Sequence, residues 1–347
     1  MNKEQKISEF DPSGPANVNN NIFGLPFTFE ESKVIIMPVP WDLTASNKSG
    51  TSLGPQIIKK ESFQIDLFDQ FAPDAWKNGI YMEDIPQNIL MENDSLRTKA
   101  EDYIKFLESG ASKFDTQTKN NLDSINNACN KMISGVEQKA ISYLNSNKLL
   151  ALIGGDHSTA LALIRALAVK HDNFGILQFD AHADLRDSYE GFEHSHASVM
   201  FNAMKINSVS KLVQVGIRDY CQEEYEFIEN NKNRVKLFTA PYLYKKSFEG
   251  ISWKSICSDI ISELPDKVYI TYDVDFLDPA DCPNTGTPVP GGLAYEQALY
   301  LIELLVENNK TIIGFDLVET GNGDIDGVVS CRILYRIINA MLKSNNL

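Results

Sequence analysis

The strongest constraint on this chain is a rhythm. Short, near-continuous apolar runs are each followed by a longer stretch with helical spacing. The runs are VIIMPVP from Val34, LLALIGG from Leu149, FGILQFD from Phe174, KLVQVGI from Lys211, RVKLF from Arg234, KVYITYDVD from Lys267 and TIIGFDLVE from Thr311. Helical spacing is carried by STALALIRALAVKH from Ser158 and AYEQALYLIELLVENN from Ala294. The long polar stretch from Glu92 to Lys148 reads as helices packed on the outside. Strands that are apolar on both sides must be covered on both sides, and their alternation with helices makes the sheet mostly parallel. The chain is expected to be an α/β protein.

Four of these strands end in residues that a core does not need. GGDHS places Asp156 and His157, and DAHAD places Asp180, His182 and Asp184. TYDVDFLDP places Asp273, Asp275 and Asp278, and GFDLVE places Asp316 and Glu319. Ligands bind open parallel sheets at the carboxyl ends of the strands, where loops converge. Residues i, i+2 and i+4 of an extended segment share one side. Asp180, His182 and Asp184 are therefore expected to face one point, as are Asp273 and Asp275.

With His157, that makes a set of four aspartates and two histidines. Buried without partners, such carboxylates would repel one another and each would be costly to desolvate. A pair of divalent cations removes the conflict. Ligation rich in carboxylate, with imidazole and no thiolate, suits Mn²⁺ best, with Ni²⁺, Co²⁺, Fe²⁺ or Zn²⁺ as alternatives. Two ions about 3.5–4 Å apart bring the pKa of a water between them into the neutral range, a hydroxide source for hydrolysis.

Each motif alone also has a structural reading. D-x-H-x-D can be a cap or a salt-bridged strand end, GGDHS a tight turn that caps a helix, and the aspartate before proline a turn. The set, taken together at strand ends, favours chemistry. All five histidines (157, 171, 182, 194 and 196) fall in one window. His171 closes a helical stretch and reads as a surface residue.

Charge and cysteine content narrow the partners. The 347 residues include 47 acidic and 32 basic ones, a net charge of −15. Such a surface repels phosphate backbones, which disfavours nucleic acid and suits a small cationic ligand. The same charge serves solubility. Five scattered cysteines without a C-x-x-C pair fit reduced thiols in the cytoplasm. No run approaches the ~20 apolar residues that span a membrane. The start, MNKEQKISEFDPSGPANVNNN, lacks the apolar segment of a secretory signal and is expected to be disordered or loosely draped. Residues 1–30 are thus taken as a polar extension and residues 31–347 as one domain.

GGDHS at Gly154, DAHADLRD at Asp180, SHAS at Ser195, TYDVDFLDP at Thr271, NTGTPVPGGL from Asn284 and GFDLVE at Gly314 together resemble the ureohydrolases, the family of arginase and agmatinase. The resemblance runs from about Val34 to the C-terminus. It implies a three-layer α/β/α fold around a parallel sheet and a binuclear Mn²⁺ centre that hydrolyses a guanidinium to urea and an amine. By resemblance, one metal is held by His157, Asp180, Asp184 and Asp273. The other is held by Asp180, His182, Asp273 and Asp275, with Asp180 and Asp273 bridging. Glu319 is similar to the glutamate that pairs with the substrate guanidinium, a role that suits a carboxylate facing forked N–H donors. His196 is similar to a proton-shuttling histidine, and a group titrating near neutrality suits a departing amine. His194 is its rival by spacing. Asp184 is similar to the residue that relays the proton of the attacking water.

The stretch DSYEGFEHSHASVM resembles the agmatinase branch, which implies a substrate tail without an α-carboxylate. WDLTASNKSGTSLGP, from Trp41, resembles the family's N-terminal motif and makes Thr44 a candidate substrate contact. Its Trp41 and Asn47-Lys48-Ser49 depart from the usual pattern, as does GIRDYCQEE after Lys211. Both stretches are expected to line the specificity pocket. Arginase, guanidinobutyrase and guanidine hydrolase activities stay open beside agmatinase, as does a metal-bound homologue without turnover. A closed homo-oligomer, trimer or hexamer, is implied by the resemblance alone.

Overall fold

The protein was analysed as a computed structural model, which describes residues 1–110 and 116–347. Eight strands form one sheet: β1 (Val34–Val39), β2 (Ile80–Met82), β3 (Leu149–Gly154), β4 (Phe174–Phe179), β5 (Val209–Val215), β6 (Val235–Phe238), β7 (Lys267–Asp273) and β8 (Thr311–Val318). Their order is β2-β1-β3-β8-β7-β4-β5-β6, and every pairing is parallel. All seven expected strands are present. The three-residue edge strand β2 was not expected, because IYM is too short to stand out as an apolar run.

Among the described residues there are eleven α-helices: α1 (Lys3–Glu9), α2 (Gly54–Glu61), α3 (Gln87–Glu108), α4 (Thr116–Asn145), α5 (Ala160–Lys170), α6 (Val199–Met204), α7 (Gln222–Asn230), α8 (Ala240–Phe248), α9 (Trp253–Ser262), α10 (Tyr295–Glu307) and α11 (Asp324–Ser344). Alternation along β1 shows how the three layers arise. Val34 and Ile36 join the core that packs against α2, α8, α9, α10 and α11. Ile35, Met37 and Val39 join the opposite core, against α3 to α7. Both sides of each strand are therefore buried, which is why the runs are near-continuously apolar.

The N-terminal segment is not loosely draped. Asn2 caps α1, Phe10 packs on Trp76 with ring centroids 5.1 Å apart, and Ile22, Phe23, Leu25 and Phe27 are buried in the core. The polarity of residues 1–21 hid an apolar IFGLPF run immediately beyond them.

Candidate metal centre and its pocket

The four strands that end in acidic or imidazole residues, β3, β8, β7 and β4, lie side by side at the middle of the sheet. Their carboxyl ends bring two trios together: His157, Asp180 and Asp273, and Asp180, His182 and Asp275. Within each trio the ligand atoms lie within 4.8 Å of one another, and Asp180 belongs to both. His157 Nδ1 lies 3.0 Å from Asp180 Oδ2, 2.9 Å from Asp184 Oδ2 and 3.5 Å from Asp273 Oδ2. His182 Nδ1 lies 2.9 Å from Asp275 Oδ2 and 3.6 Å from Asp180 Oδ1.

The residues come together as expected, but not through an extended backbone. β4 stops at Phe179, and Asp184 has a φ of 54°, in the left-handed region. That conformation is costly for a non-glycine residue. Here the Asp184 carbonyl accepts from the amides of Met200 and Phe201 at the start of α6, which holds the turn. Asp275 lies on a 3₁₀ turn just past β7, where its amide donates to Asp273 Oδ1 at 2.9 Å. Apart from Asp273, the last residue of β7, the ligands therefore sit on turns just beyond the strand ends.

A single imidazole nitrogen facing three carboxylates can hold only one proton between them. Burial would strip His157 and His182 of charge. The surrounding aspartates override this, raising His157 well above its usual value and His182 to about 12. Burial and the neighbouring Asp180 push Asp184 up to about 7, and burial with Asp275 and Asp180 pushes Asp273 well above the carboxylate range. Despite its burial, Asp180 falls below that range, because His157 and His182 both pair with it. Without an ion the cluster gathers protons to offset its carboxylates, and its oxygen and nitrogen donors fit divalent cations in their place.

Supporting contacts fix these groups. Asp180 Oδ1 accepts from the His182 amide at 2.6 Å, and Oδ2 accepts from Gln178 Nε2 at 2.8 Å. Gln178 is held in turn by Gln214, 2.7 Å away on the neighbouring strand. The two fully buried glutamines were missed in the sequence, although each interrupts an otherwise apolar run. Arg218 donates to the carbonyls of Asp275 and Val289, tying the β7 loop to the NTGTPVPGGL loop.

Glu319 follows β8 with a φ of 61°. Its amide donates to the Gly155 carbonyl, and Oε1 accepts from the His157 amide at 3.0 Å. A Cβ on Gly286 would lie 3.4 Å from the other oxygen, Oε2. Burial and Asp156 hold this carboxyl well above its ordinary value. Glu319 and His196 line a small cleft with Ser46 and Gly286. That cleft shares Ser46, Asn47, Lys48, His196 and Thr287 with a cavity of about 380 Å³ lined also by His182, Asp184, Tyr189 and Asp219. A larger surface hollow of about 790 Å³, beside Phe68 and Arg336, holds neither ligand trio.

His196, not His194, faces this pocket. Its ring stands edge-on to Tyr189, with centroids 5.9 Å apart, and Nε2 lies 3.4 Å from Ser46 Oγ. Burial and the nearby His182 push it down to about 4, toward the neutral imidazole. His194 Nε2 pairs with Asn130 instead, at 2.9 Å. His171 lies at the C-terminal cap of α5.

Thr44 is fully buried, with its hydroxyl 3.4 Å from Asp156 Oδ2, and Ser46, Asn47 and Lys48 form the pocket wall instead. Trp41 is also fully buried, and its carbonyl accepts from the Asp156 amide at 2.8 Å. It supports the GGDHS loop and does not line the pocket, contrary to expectation. Asp219 and Tyr220 do line it, as do the unforeseen Arg186 and Tyr189, whose guanidinium and ring lie 4.9 Å apart. Asp278 is an exposed turn residue, and Asp316 is fully buried within β8.

This arrangement of carboxylates and imidazoles at the centre of a parallel sheet, below a narrow pocket, defines a metal-dependent hydrolase. A family model described as the arginase family matches residues 32–326. The chain is 29% identical to the N(1)-aminopropylagmatine ureohydrolase of Thermus thermophilus, over 89% of this chain and 90% of that one. It is 27% identical to the agmatinase of Bacillus cereus, over 84% of each. Its fold matches the crystal structure of the agmatine ureohydrolase of Thermoplasma volcanium with a TM-score of 0.70 and 22% identity, over 99% of each chain. This chain belongs to the arginase family and is a ureohydrolase. Among the described residues, no helix is long and apolar enough to cross a membrane.

Proposed function

We propose that this protein is an agmatinase-like ureohydrolase whose two ligand trios would hold two Mn²⁺ ions, with Asp180 common to both sites. The observation that carries this reading is that Asp180 belongs to both trios while Glu319 and His196 share the adjoining cleft. His157, Asp184 and Asp273 would complete one site, and His182, Asp275 and Asp273 the other. When bound, the ions supply Lewis-acid charge and make hydroxide available at neutral pH. Glu319, with Oε1 held by the His157 amide, presents Oε2 to the guanidinium N–H groups and orients the carbon toward the ligand cluster. As the water oxygen bonds to that carbon, Asp184 takes up its proton. The C–N bond to the tail breaks as His196 relays the proton taken up by Asp184 to the departing nitrogen, and the hydroxyl proton of the adduct follows it. Urea and a protonated amine result.

Asp219, exposed at the cavity wall, provides a carboxylate for a tail amine, as in agmatine or a longer polyamine. The proposal extends to a single domain over residues 31–347, against whose core the N-terminal segment packs, a cytoplasmic setting and a closed trimer or hexamer. The test is urea release by Mn²⁺- or Ni²⁺-loaded protein offered agmatine, aminopropylagmatine, arginine, guanidinobutyrate and guanidine separately. Turnover of an amine-tailed substrate above the others supports the reading. Silence across the panel by protein that has taken up two ions overturns it.

A further inference from the structure

We propose that Asp316 is a positioning residue for the metal centre, acting through Thr271 to keep His157 Nδ1 bare. The argument is a proton inventory along one chain of contacts. Asp316 is fully buried, and its two oxygens accept from Tyr269 Oη at 2.6 Å and Thr271 Oγ1 at 2.9 Å. A hydroxyl has one hydrogen, and that of Thr271 is committed to Asp316. The contact of 2.8 Å between Thr271 Oγ1 and His157 Nε2 must then run the other way, with Nε2–H donating. A neutral imidazole carrying its proton on Nε2 has its lone pair on Nδ1. Nδ1 is the atom turned toward Asp180, Asp184 and Asp273, so it is the nitrogen open to an ion.

Three side chains from two adjacent strands thus set which nitrogen of His157 is available. Thr271 and Asp316 are register partners on β7 and β8, so the relay is built into the sheet rather than into a mobile loop. Asp316, expected to reach the site's edge, acts two contacts behind it.

The inference rests on the cluster being a metal centre, and the experiment separates the two claims. Metal-free wild type, Thr271→Ser, Thr271→Val and Asp316→Asn are titrated calorimetrically with Mn²⁺. Zn²⁺-loaded samples labelled with ¹⁵N-histidine are compared by NMR for the His157 Nε2–H signal. Wild type and Thr271→Ser are expected to bind two ions and show a protected Nε2–H. Thr271→Val and Asp316→Asn should weaken one ion about 10–100-fold, leave the other unchanged, and lose that protection. Should Asp316→Asn fail to fold, the serine–valine pair at 271 carries the test. Variants that bind both ions as wild type does, or weaken both equally, overturn the relay. Wild type that takes up no ions overturns the metal reading itself.

Discussion

His157 and Asp180 follow strands that are not neighbours, yet His157 Nδ1 and Asp180 Oδ2 lie 3.0 Å apart. Two strands, β8 and β7, separate β3 from β4 in the sheet. The loops converge over the strand ends, and Asp180 is the one residue common to both ligand trios. Asp180→Ala should therefore lose both ions, whereas a change at Asp275 should spare the site of His157. Metal content after exhaustive dialysis checks this, with fewer than one ion per chain expected for Asp180→Ala. Retention of two ions with full turnover would contradict the bridging role.

Glu319→Gln keeps the shape of the side chain and the contact with the His157 amide, but removes the charge that faces the guanidinium. Metal content should stay at the wild-type level, because Glu319 belongs to neither trio. Losing a charged partner for a forked cation should lower kcat/KM by about 100-fold or more, roughly 2.7 kcal/mol. Steady-state urea release checks it. An unchanged kcat/KM would remove Glu319 from substrate binding.

The sheet was legible because strands covered on both faces must be apolar throughout, and seven runs met that demand. The ligand residues were legible from type and order. Their local geometry was not: extended alternation predicts a flat row, whereas Asp184 takes a positive φ and Asp275 sits on a 3₁₀ turn. Sequence also shows that a residue is near the sheet's edge without showing which way it faces. Thr44, Trp41 and Asp316 were placed at the pocket for that reason, and all three are buried behind it. Gln178 and Gln214 carried a signal that went unread. Each is a lone amide in an apolar strand, and the two are paired in register.

Stripped of metal, the protein should lose stability as pH rises. Asp184, at about 7, lies above its ordinary carboxylate value, so the folded state holds its proton where the unfolded state has released it. Stability from this group is present at low pH and lost as pH climbs toward 7. His182, at about 12, acts in the same direction above its ordinary value of 6.5. Cations replace those protons. The melting temperature of metal-free protein should fall between pH 5.5 and 8.5, and the stabilisation by added Mn²⁺ should grow. A metal-free melting temperature that climbs with pH across this range would refute the charge reading of the cluster.

Gly155 couples packing to the site. A Cβ there would run into the backbone of Trp41, and the Gly155 carbonyl accepts the amide of Glu319. Gly155→Ala must push the GGDHS loop away from Trp41, shifting His157 and Glu319 together. The expected cost is about 1–3 kcal/mol of stability, as for overpacking elsewhere, with weaker metal binding beside it. Gly135, exposed within α4, offers the control, since nothing lies within 4 Å of a Cβ there. Gly135→Ala should stabilise the helix by about 0.5–1 kcal/mol and leave metal affinity unchanged. Denaturant melts and metal titrations of both variants check the contrast. If Gly155→Ala matched wild type in both, the loop would have room beside the Trp41 carbonyl, and the coupling between this glycine and the ligands would fall.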